Sequence, residues 1–168
     1  KFHPQILSFY YRYIRITDID EYGELLNDWK TAAKVEEQYI LKEGDFLFAR
    51  SGATVGKTFL YTKKHPKSLY AGYLIRFRTK NEKLLPEFLN LIIHSSKYKD
   101  WVIAFQRKSA QPNINAQEYS SFEIPLPSLK EQQKIVSEIE KIETEITTLN
   151  KQLETISEEK NAVLKKYL

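Results

Sequence analysis

The chain has no cysteine, no methionine, only three histidines, and not one glycine or proline after Pro127. Without cysteine there are neither disulfides nor thiolate metal sites, which fits a reducing compartment. His3, His65 and His94 are scattered with no second ligand at helical or hairpin spacing, so no metal and no cofactor is expected. No apolar run approaches the roughly 20 residues of a membrane-spanning helix, and nothing resembles a signal peptide. These absences lead to the expectation of a cytoplasmic protein with no membrane partner. The missing methionine, with Lys1 as first residue, suggests a segment of a longer protein.

The stretch that lacks glycine and proline carries a pattern instead. Ile135, Ile139, Ile142, Ile146, Leu149, Leu153 and Ile156 alternate spacings of four and three, which keeps a narrow apolar seam along one helix. Ser128 and Glu131 have the form of a capping box, so the helix start is marked. At 1.5 Å per residue the run 128–168 reaches roughly 60 Å, and such a seam must find another helix to cover it. Lys160 falls on the seam, followed by Val163 and Tyr167. It either sets the register of a pair or marks where the rod leaves its partner.

Residues 1–127 are rich in the aromatics a core needs; the chain holds 11 tyrosines, nine phenylalanines and two tryptophans. Charge is uneven. Seven lysines and eight glutamates lie from Lys130 onward, which leaves 19 basic and 14 acidic residues, a net of +5, before it. A basic excess of this size suits a polyanion partner and is also common for solubility alone.

The head reads as α+β, with a mixed sheet and short helices. Strands are expected at Tyr13–Ile16, Asp45–Arg50, Thr58–Tyr61 and Tyr70–Phe77, with a short extended piece at Tyr39–Leu41 and a last strand at Phe122–Ile124. Asp18, Asp20 and Gly23 suggest a turn. Pro86 is placed to open a helix running to about His94, and Tyr98–Gln106 suits a second with Trp101, Val102 and Phe105 inward. Arg107–Asn115 reads as a loop, and Pro125 and Pro127 stop pairing and aim the chain into the long helix.

Gly52-Ala-Thr-Val-Gly56-Lys57-Thr58 imitates a phosphate-binding loop but has three residues, not four, before its Gly-Lys pair, and a strand rather than a helix follows. Gly52 and Gly56 are read as turn residues with positive φ. There is no Asp-Pro-Pro-Tyr-like tetrapeptide, no glycine-rich methyl-donor loop and no nuclease-type metal motif; Glu158, Glu159 and Lys160 are solvated charge on the rod. No enzyme is expected. The basic features are of two kinds. Lys63, Lys64 and Lys67 sit on a turn, while Arg107 and Lys108 open a loop rich in amides: Gln111, Asn113, Asn115 and Gln117. Lysine and arginine neutralise phosphates, and amides pair with base edges. The amides have a second use, capping turns and bonding their own backbone.

Gly44-Asp-Phe-Leu-Phe-Ala-Arg-Ser-Gly52, Gly56-Lys57, Ala71-Gly-Tyr-Leu-Ile-Arg-Phe77, Gln111-Pro-Asn-Ile-Asn115 and Ile124-Pro-Leu-Pro-Ser-Leu-Lys-Glu-Gln132 occur in this order. Together they resemble the target-recognition domain and following helix of a type I restriction–modification specificity subunit, over about residues 13–168. The resemblance implies a domain that reads one half of a bipartite site on double-stranded DNA. It implies a helix that pairs in an antiparallel coiled coil, sets half-site spacing and docks modification and restriction subunits. A bacterial or archaeal source goes with it. Only one head and one helix are present where the family has two, so the second specificity half comes from the same longer chain or from a homodimer. The family's domain begins some tens of residues before Tyr13, so the head is expected to be N-terminally incomplete. Gly44, Gly52, Pro125 and Pro127 match the motifs as architectural residues.

The expected organisation is therefore a recognition domain at 1–127 and a spacer helix at 128–168. Arg50, Lys57, Lys63, Lys64, Arg107 and Lys108 are assigned to the DNA backbone, with Gln111, Asn113 and Asn115 as polar loop candidates. The alternative is a protein–protein scaffold whose rod oligomerises and whose head binds a protein.

Overall fold

The computed structural model describes residues 11–79, 82–106 and 112–167. The strands are β1 (Arg12–Ile14), β2 (Asp45–Ala49), β3 (Thr58–Leu60), β4 (Ser68–Tyr70) and β5 (Leu74–Arg78). The helices are α1 (Pro86–Ile93), α2 (Ser96–Gln106), α3 (Ala116–Ser120) and α4 (Leu129–Tyr167). The class is α+β as expected. Backbone contacts divide the chain into two compact units, Lys1–Leu126 and Pro127–Leu168.

Strand β2 organises the first unit. It lies between β3 and β5, antiparallel to both, and all five of its residues are buried. Alternate side chains of a strand point to opposite faces, so one short run feeds two cores. Leu47 and Ala49 join Ile14, Ile19, Leu41, Phe59, Tyr61 and Leu74. Phe46 and Phe48 join Val55, Ile93, Tyr98, Val102, Ile114 and Tyr119. Around Phe48 the rings of Tyr119 and Phe77 stand with centroids 4.9 and 5.1 Å away, tilted or edge-on as aromatic quadrupoles prefer. Asp45, only 1% exposed, accepts the Lys42 amide at 2.9 Å and pairs with the Arg78 guanidinium across the β2–β5 ladder. The same pairing raises the Arg78 pKa. Arg78→Ala would leave the buried carboxylate with only the more distant Arg76 guanidinium, 4.0 Å away, at a cost of about 1–3 kcal/mol.

Three expectations need correction. The run 70–77 is not one strand. β4 pairs in parallel with β1 and β5 pairs with β2, and the Leu74 amide donating to the Ala71 carbonyl at 2.9 Å turns the chain between them. Gly72 sits at that exposed turn. Phe122–Ile124 joins no ladder; the prolines that follow lack the amide a strand needs. Tyr13–Ile16 is cut short as well. β1 ends at Ile14, because the Asp18 carboxylate accepts the Arg15 amide at 2.8 Å and winds Ile16–Asp18 into a 3₁₀ turn. Near the other short expectation, only Ile40 bridges, to Leu69. Pro86 does open α1, with Phe88 and Ile93 buried.

In the second unit, α4 runs 39 residues. The Glu131 carboxylate accepts the Ser128 amide at 2.9 Å, and the Ser128 hydroxyl accepts the Glu131 amide at 3.4 Å, closing the capping box. Within this unit the described residues give the seam no cover. Ile135, Ile142, Ile146, Leu149, Leu153 and Ile156 are all exposed, up to 61% at Leu153, and only Ile139 is partly screened. No described helix is long and apolar enough to cross a membrane.

Candidate nucleic-acid interface

One end of the β3–β2–β5 sheet is built from loops. Where β2 ends, the Arg50 amide donates to the Tyr73 carbonyl at 3.2 Å and the Arg50 carbonyl accepts the Ile114 amide at 2.8 Å. Ser51 bridges to Asn113 in antiparallel fashion, and the Gly52 amide donates to the Pro112 carbonyl at 3.1 Å. Residues 112–114 thus continue the ladder beyond β2. The turn between β2 and β3 needs both its glycines, at φ +69° for Gly52 and +89° for Gly56. At Gly56 a Cβ would also come within 2.5 Å of the Val102 Cγ1 atom, so α2 packs where only a hydrogen fits. A strand follows rather than a helix, which leaves the phosphate-loop imitation without its helix N-terminus.

Two buried phenols hold the neck of this turn. The Tyr119 hydroxyl, from α3, donates to the Ala49 carbonyl at 2.7 Å and accepts the Gly56 amide at 3.1 Å. The Tyr98 hydroxyl, from α2, donates to the Gly56 carbonyl at 3.0 Å. Burial pushes the Tyr119 pKa up to about 12 and raises that of Tyr98 further, so both remain protonated donors.

The expected contact residues sort to different places. Arg50 and the exposed Asn113 come together at the loop end, beside Tyr73, which is 65% exposed. Arg107, Lys108 and Gln111 lie outside the described residues. Asn115 takes its second use: its Oδ1 accepts the Gln117 and Glu118 amides at 2.9 and 3.0 Å, capping α3, while Glu118 accepts the Asn115 amide at 2.7 Å. Lys57 turns inward, its Nζ donating to the Ile19 carbonyl at 3.1 Å, which ties the 19–25 turn to the sheet. It lines an open cavity of about 320 Å³ with Glu21, His94, Lys99 and Gln106. Lys63 and Lys64 are exposed at the other end. The register sets Phe46 opposite Leu60 and Phe48 opposite Thr58, so the 62–67 turn belongs with Asp45. That end is five residues, or roughly 17 Å, along the strand from Arg50. Lys63 pairs with Glu43 at 2.9 Å, which raises its pKa.

Three features escape a reading of the sequence: helix α3, the Tyr119 hydroxyl bridge and the exposed Tyr73. The spacing Asn115-x-x-Glu118 signals the first, in the same way that Ser128 and Glu131 mark α4. Among the described residues, no group of three or more His, Asp or Glu side chains could hold a metal ion. The buried carboxylates Asp18 and Asp45 are tied to arginines and backbone amides.

Comparison with known proteins supplies the family. The chain is 31% identical over 133 residues to the type I restriction enzyme MjaX specificity subunit of Methanocaldococcus jannaschii, covering 77% of this chain and 31% of that one. It is 29% identical over 125 residues to the type I restriction enzyme EcoEI specificity subunit of Escherichia coli, covering 71% and 21%. It therefore spans a third or less of these relatives' length. The crystal structure of the HsdS subunit from Thermoanaerobacter tengcongensis shares the fold with a TM-score of 0.66 at 21% identity, over 83% of this chain and 37% of that one. The family model for the type I restriction modification DNA specificity domain matches residues 8–158, and the chain belongs to that family.

Proposed function

We propose that this chain reads one half of a bipartite DNA site as part of a type I specificity subunit. It does so by binding and performs no catalysis. The observation that carries the reading is the loop end of the sheet, where Arg50, Asn113 and the anchored end of the 107–115 segment share one ladder in a head of net charge +5. Arg50 is assigned to a phosphate there and Asn113 to a base edge, while Arg107 and Lys108 keep the phosphate role, and Gln111 the polar role, that the sequence suggests. Lys63 and Lys64 form a separate basic turn for a second backbone contact. Lys57 and Asn115 contribute mainly by holding loops in place.

Helix α4 is proposed to fix the spacing of two half-sites through an antiparallel coiled coil and to present a docking surface to modification subunits. Its uncovered seam supports this role, since so many exposed isoleucines and leucines on one stripe are stable only against another helix.

Titration of a mixed-sequence duplex at rising salt tests the reading. If the head neutralises Z phosphates, log affinity falls with log salt at a slope near −0.9Z. Each of Arg50→Ala and Lys64→Ala should make that slope about one unit shallower. A flat response, or no binding at low salt, favours the scaffold alternative.

A further inference from the structure

We infer that Tyr119 is a positioning residue that locks the 50–56 turn and the 112–114 segment into one rigid contact unit. The idea rests on the DNA-reading role only for what the unit touches. The two segments lie some 60 residues apart in sequence, and either alone is a surface loop free to rearrange. Two hydrogen bonds join them directly, Gly52 to Pro112 and Ile114 to Arg50, and together they make the antiparallel Ser51–Asn113 bridge. Tyr119 adds a connection of another kind. Its ring is buried against Phe48, and it stands on the short helix that follows directly from 112–114 and is capped by Asn115. Its hydroxyl spans the neck of the turn, donating to the last residue of β2 and accepting from the residue before Lys57. The Gly56 amide also donates to the Ala49 carbonyl at 3.1 Å, so the hydroxyl reinforces a neck the backbone already closes and ties it to the second segment, which its own backbone continues. Tyr supplies a six-membered ring with donor and acceptor on a single oxygen, which neither Phe, Trp nor His does. Preformed loops give up little freedom when they meet a ligand, so the lock favours fast and specific docking.

Tyr119→Phe keeps the ring and removes the bridge. Amide hydrogen exchange on the full chain is the first measurement. The Gly52 and Ile114 amides, which Tyr119 does not touch, should exchange faster together with Gly56, while the amides of the β2–β5 ladder stay as protected as before. Faster exchange at Gly56 alone, or a uniform rise through β2 and β5, overturns the proposal. Duplex binding is the second. Tyr119→Phe should weaken binding of a mixed-sequence duplex roughly three- to tenfold in the native background. In an Arg50→Ala background it should cost almost nothing, because the two act through one unit. Equal losses in both backgrounds also overturn it. Failure of the unmodified chain to bind duplex would instead sink the DNA reading and leave the exchange measurement to decide the lock.

Discussion

His65 shows how one side chain in the basic turn is tied to the core. Its Nδ1 accepts the Thr62 amide at 3.0 Å, a bond open only to the unprotonated nitrogen, and its ring stands 4.8 Å from Phe59 and 5.8 Å from Tyr61. Burial lowers its pKa below the ordinary 6.5. The unfolded chain therefore binds this proton more readily than the folded one, and stability falls as the pH drops below 6.5. Urea midpoints measured from about pH 8 to about pH 5 should decline, and His65→Gln should flatten the lower part of that decline. An unchanged profile in the variant would remove His65 from the account. At this scale the sequence says least. That Lys57 turns inward to Ile19, or that Asn115 spends its oxygen on a helix cap, depends on neighbours that only folding brings close.

Elements were more legible, and the reasons differ from one to the next. Helix α4 announces itself because seam, cap and the lack of breakers agree over 39 residues, and α1 because Pro86 opens it. Strand β2 is readable because Gly44 and Gly52 bracket it. The division of 70–77 into β4 and β5 is hidden, since an apolar run has no period to break and Gly72 is the only mark. Seam chemistry also bears on pairing. In a parallel pair of two copies of α4, Lys160 would meet its own copy. In an antiparallel pair centred near Lys151, Lys160 meets Ile142, Val136 faces Leu164, and Glu138 faces Lys166. Because the chain has no cysteine, Gln152→Cys should cross-link to itself in such a pair and Ile142→Cys should not. The reverse pattern would exclude the antiparallel arrangement.

For the whole molecule, the division into Lys1–Leu126 and Pro127–Leu168 leads to the expectation that a change in one unit leaves the other's function intact. Ile146→Asp sets a charge in the seam and should abolish helix pairing, at a cost of a few kcal/mol. Sedimentation equilibrium should then report a monomer, while duplex affinity per head stays unchanged at every salt. Self-association that survives the change would remove the coiled coil from the account. Loss of head affinity along with pairing would show that the units are not independent.

The two-sided burial of β2 has a further consequence, for how such a protein tolerates change in length. Phe46 and Phe48 supply one layer, Leu47 and Ala49 the other, so a residue gained or lost inside the strand would swap every occupant between two dissimilar layers. Insertions are excluded there, and at the exposed tip they are admitted only at Ala53, beyond the Gly52 that is held at positive φ and bonded to Pro112. The strand is a fixed datum, and the lettering it carries can be rewritten at the margins without moving the page.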